Sequence, residues 1–86
     1  MPEICRFYGI IIKMFFEDHN PPHFHAIYSE FESIIAIETL AVIAGDLPPR
    51  ALGLVMEWAS INQGELLTFW TKAKKSEPIG KLEPLK

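Results

Sequence analysis

The apolar residues of this chain change their period at a pair of prolines, Pro48-Pro49, and that change restricts the folds open to it. Downstream, Leu52, Val55, Ala59, Leu66, Trp70 and Ala73 recur at about 3.6 residues, the stripe of a helix buried on one side. Pro49 suits the first helical turn, where its missing N–H is not needed. The stripe keeps its phase across Asn62-Gln63-Gly64, so one long helix is expected over residues 48–75, with Gly64 as the place where it can kink. Trp58 and Trp70 fall on or beside the apolar face and are expected in the core or at an interface.

Upstream the apolar runs have strand length and are rich in β-branched and aromatic residues. "CRFYGIIIKMFF", residues 5–16, is apolar on both parities and reads as a single central strand covered on both faces. "EDHNPP" breaks it, because two consecutive prolines cannot donate to a ladder. "HFHAIYSE" restarts an extended segment, "SIIAIE" (33–38) is a third strand and "LAVIAG" (40–45) a fourth, after a tight turn at Glu38-Thr39. The expected fold is α+β: a four-stranded, mainly antiparallel meander followed by one long C-terminal helix. It forms a single domain over 1–86, with a sheet region to residue 46 and an extended tail over 76–86. Ile79, Leu82 and Leu85 give that tail apolar side chains with which to dock.

The chain has 86 residues and is 49% hydrophobic. A domain of this size buries only about 60% of the surface its unfolded chain exposes. Apolar surface is therefore in excess, and a partner is expected: a second copy or another small protein. Net charge is −3, which argues against a nucleic-acid binder held by phosphate contacts. The basic residues do gather at the end, in Lys72, Lys74, Lys75, Lys81 and Lys86, so only this tail could meet phosphate or an acidic partner. The single cysteine, Cys5, excludes an intrachain disulfide and suits a reducing compartment. No apolar run reaches the roughly 18 residues of a membrane span, and the first residues lack the order of a signal peptide. A cytoplasmic protein without membrane contact is expected.

All three histidines fall in "DHNPPHFHAIY", residues 18–28. His23 and His25 are two apart, so on a strand their side chains share a face, roughly 7 Å apart at the backbone. His19 stands four residues earlier, across a turn stiffened by Pro21-Pro22. Three imidazoles are what a zinc site with an open position needs, and Asp18 could be a ligand or orient an imidazole. The same histidines could instead carry out acid–base chemistry at neutral pH without a metal, for instance on an RNA 2′-hydroxyl. No serine or cysteine is set up nearby as a nucleophile. The third alternative is structural: a turn bonded by Asp18 or Asn20, followed by an outer strand face.

"RFYGIIIKMFFEDHNPPHFHAIY", "AGDLPPRALGLVMEWA" and "ELLTFW" together resemble a bacterial family described as domain of unknown function 4160. The later "EPIGKLEPL" resembles that family's ending. The resemblance implies a short sheet followed by a long helix, and no established activity. It also implies a neighbouring gene for another small protein, an arrangement like a toxin–antitoxin or paired regulatory system. The Asp-His-Asn-Pro-Pro-His-Phe-His run is the family's hallmark. Carried over, it makes Asp18, His19, Pro21, Pro22, His23 and His25 the candidate functional residues. Where the family has a polar or acidic residue, this chain has Gly64.

Overall fold

A computed structural model describes residues 3–15 and 19–86. Five strands form one antiparallel sheet in sequence order: β1 (Glu3–Phe7), β2 (Ile10–Lys13), β3 (His23–Tyr28), β4 (Phe31–Ala36) and β5 (Val42–Asp46). One helix, α1 (Pro49–Lys74), follows. The α+β meander with a long C-terminal helix is as expected, but it has five strands rather than four.

The extra strand lies in the run expected as one strand over 5–16: its described part breaks after Phe7 and resumes at Ile10, so β1 and β2 form a hairpin. Tyr8 and Gly9 both have positive φ, 50° and 80°. Two such residues make the tight turn whose twist matches a right-handed hairpin. Cys5, Arg6 and Phe7 then pair with Ile12, Ile11 and Ile10. The run is apolar on both parities because two adjacent strands each contribute to the core.

Phe7, Ile10, Ile12, Met14, Phe24, Ile35 and Ile37 face α1, where they meet Val55, Trp58, Ala59, Leu66, Phe69, Trp70 and Ala73 in one cluster. Trp58 is 1% exposed and lies 5.5 Å from Phe7 and 6.0 Å from Phe24, ring centre to ring centre. The other sheet face carries Ile11, Lys13, His25, Ile27, Glu32, Ile34 and Ala44, following the register of β2 to β5. Its isoleucines are half-buried.

The kink in α1 lies at Asn62 (φ −112°, ψ 15°), two residues before Gly64. The side-chain amide of Asn62 donates to the Trp58 carbonyl at 2.8 Å, one turn back. Such side-chain competition for a backbone carbonyl bends helices. Next to it, Gln63 Nε2 donates to the Ile37 and Glu38 carbonyls at 2.8 and 3.2 Å, fastening the bend to the turn between β4 and β5.

The two sheet edges are treated differently. On the β1 side the tail docks on its own chain. The Leu82 N–H donates to the Ile4 carbonyl at 2.8 Å, the Trp58 indole N–H donates to the Glu83 carbonyl at 2.8 Å, and Leu82 is buried. On the other side, every residue of β5 is exposed, with Val42 at 41% and Ile43 at 48%. Ile43 is an extra residue on β5, because Ile34 pairs with Ala44 while Ile35 pairs with Val42. Gly45 follows at φ 72°, its Cα so near β4 that a methyl group there would land on the Glu32 carbonyl oxygen. No described helix is long and apolar enough to cross a membrane.

Candidate functional site

The histidine run enters the fold at the middle of the sheet, since β3 has two strands on each side. It does not lie at an edge. The Asn20–Pro21 peptide is cis, and the Pro22 carbonyl accepts from the Ile37 N–H at 2.9 Å, which joins the run to the end of β4. Asp18 lies outside the described residues.

His23 and His25 come together as their spacing requires, with ring centres 5.4 Å apart. Their surroundings differ. His23 is 8% exposed, and its ring lies 5.1 Å from that of Trp70 on α1. Its Nδ1 is 2.8 Å from the Pro21 carbonyl oxygen, which can only accept, so Nδ1 carries the proton. His25 has Nδ1 2.9 Å from Glu32 Oε2 across the sheet, and its ring stands edge-on to Phe15 at 4.5 Å. Here too Nδ1 is the donor, because a carboxylate accepts. In the neutral form both rings therefore carry their lone pair on Nε2. Imidazoles that bind metals or act as bases are usually oriented in this way, by a carbonyl or carboxylate on the other nitrogen.

His19 is exposed. Among the described residues no group of three or more His, Cys, Asp or Glu side chains is placed to hold a metal ion together. The run thus brings two histidines together, with Glu32 from β4 beside them. Glu32 has no motif spacing to the run and follows only from the β3–β4 register, so no signal in the residues points to it. Cys5 is buried, and burial raises its thiol pKa, which removes it as a nucleophile.

The burial of His23 changes what substitutions should do. If the run were an exposed site, all three alanine variants would be near neutral. With a ring against Trp70, His23→Ala should lower stability by about 1–3 kcal/mol, whereas His19→Ala stays within about 0.5 kcal/mol. Urea unfolding checks this. Calorimetry with zinc on the same proteins tests the imidazole pair. If the pair binds, heat is lost in His23→Ala and His25→Ala, is kept in weakened form in His19→Ala, and fades as pH falls below about 6.

Two features outside the run are also candidates. One is the open β5 edge. The other is a cleft of about 340 Å³ where Tyr8, Tyr28 and the start of α1 meet, which the hydrophobic pattern does not indicate.

A family profile described as a domain of unknown function, DUF4160, matches residues 9–71. No curated protein and no solved structure matches the chain.

Proposed function

Because the chain belongs to the DUF4160 family, a domain of unknown function, we propose a role that its architecture supports: a protein-interaction module whose fifth strand receives a strand from a partner. The observation that carries this reading is the contrast between the two sheet edges. The tail docks beside β1 through the Leu82–Ile4 bond, whereas β5 has all five of its residues exposed. An open edge is a row of unpaired N–H and C=O groups, which folded proteins usually cover or defend with lysine or proline. The sequence of β5, Val-Ile-Ala-Gly-Asp, has neither, and its one defence is the bulge at Ile43. Strand addition uses backbone hydrogen bonds for affinity and alternate side chains for specificity. Beside the edge, Ile34 and Ala44 continue an apolar surface onto the face away from α1.

The partner in this reading is a small protein encoded beside it in a bacterial genome, the two forming a paired regulatory system of the toxin–antitoxin kind. A second copy of the chain is the other occupant the same edge can take. Light scattering should give a mass above the 9.8 kDa of one chain, alone or with the neighbour's product. Amide exchange should then slow at residues 42–46 on assembly. Ile43→Lys, which puts a charge on the exposed edge, should abolish the complex. A monomer that binds no neighbour, or protection away from β5, would overturn the reading.

A second reading, a histidine-based enzyme or metal site, has one specific observation in its favour: His23 and His25 stand side by side, each ring oriented through Nδ1, one by the Pro21 carbonyl and the other by the Glu32 carboxylate. A divalent transition metal such as zinc would be the cofactor. The low exposure of both rings favours an ion or a proton over a bulky substrate such as RNA.

A further inference from the structure

The cleft beside the start of α1 lies at the opposite end of β3 from the histidines. It forms where the β1–β2 turn, the end of β3 and the first turn of α1 converge. Pro48 and Leu54 give it an accessible apolar wall over the buried Ile10 and Ala51, and Tyr8, Tyr28 and Arg50 stand around it. At about 340 Å³ it is at the small end of ligand clefts, which run from about 300 to 1,000 Å³.

Three features give the cleft a chemical preference. First, its lining holds a guanidinium and no carboxylate, in a chain whose net charge is −3. Arg50 makes no ion pair among the described residues. A guanidinium offers a planar fork of donors that matches a carboxylate. Second, the residue at its mouth is strained. Tyr8 has φ 50°, in the region that glycine and asparagine favour, and its ring is nonetheless 60% exposed. The β1–β2 turn sets that φ, and it leaves the ring exposed beside the cleft. Third, α1 begins without a side-chain cap and without an acidic residue in its first turn. The positive end of the helix therefore has no anionic side chain of its own beside the cleft.

We propose that this cleft binds a small aromatic carboxylate. The ring of the ligand lies against Leu54 and Pro48 between the two tyrosines, and its carboxylate pairs with Arg50. The site is independent of the β5 edge and of the histidine pair.

The test is an NMR titration of the isotope-labelled full chain with 3-phenylpropionate, and in parallel with 3-phenylpropionamide, which has the same shape and no charge. A ligand of this size should bind with a Kd of roughly 1 mM. Amide shifts should centre on residues 8–10, 28 and 50–54. The neutral amide should bind at least about tenfold more weakly, and Arg50→Gln should remove that difference. Arg50 is exposed, so the melting temperature of the variant should match the parent and exclude misfolding as the cause. The proposal is overturned if neither compound shifts these residues well above that concentration, if the shifts centre elsewhere, if acid and amide bind equally, or if the difference survives in Arg50→Gln.

Discussion

Trp58→Ala lowers the free energy of unfolding by about 3–5 kcal/mol, the largest loss expected from any one side chain here. The ring is 1% exposed and packs on Phe7 and Phe24, so its removal leaves a cavity between helix and sheet. In a domain this small, each kcal/mol moves the melting temperature by about 4–8 °C, so a fall of at least about 12 °C should be measured. Trp58→Phe separates two contributions. It keeps most of the apolar contact and loses the indole N–H that donates to Glu83. Its cost should be about 1–2 kcal/mol, with faster amide exchange at Leu82, because the tail loses an anchor next to that residue. An unchanged melting temperature in Trp58→Ala would mean the ring is not part of the core.

Gly45→Ala is the second large effect, and it arises from backbone geometry. The residue has φ 72°, which costs an L-amino acid roughly 1–2 kcal/mol. A Cβ would also clash with the Glu32 carbonyl oxygen, so β5 must move away from β4 to accommodate it. A total loss of at least about 2 kcal/mol is expected. Amide exchange should accelerate in β5 before the rest of the sheet. If β5 receives a partner strand, the same variant loses the complex. Gly64→Ala is the control, since a methyl group there meets nothing within 4 Å and its backbone is helical. It should be neutral or stabilising by up to about 1 kcal/mol.

The change of period at Pro48-Pro49 was enough to place the helix and to separate it from the sheet, because burial on one side imposes 3.6 or 2 on the apolar residues whatever they contact. Turn chemistry was less legible. Tyr8-Gly9 interrupts an unbroken apolar run, and a tyrosine in a position that favours asparagine or glycine hides the hairpin. The kink was expected at Gly64 on propensity. It falls at Asn62, where a side-chain hydrogen bond takes over a backbone carbonyl. At the histidines, the two-residue spacing correctly joined His23 to His25. That spacing cannot show that Trp70, far along the chain, covers one of the rings, or that the β3–β4 register brings Glu32 to the other. These contacts depend on topology.

The bond from Leu82 to Ile4 has a consequence for how the molecule is made. Synthesis releases β1 early, and the segment that seals its outer edge is translated almost eighty residues later. Through that interval a nascent sheet has two open edges and a bare hydrophobic face, since Trp58 and the rest of α1 also follow it. A closure between such distant residues is slow to form compared with local turns. The tail thus fastens β1 only after the other strands and the helix have been made. Chains cut short before Leu82 should be captured by chaperones or cleared by proteases during growth, even though every strand and the helix are already present in them.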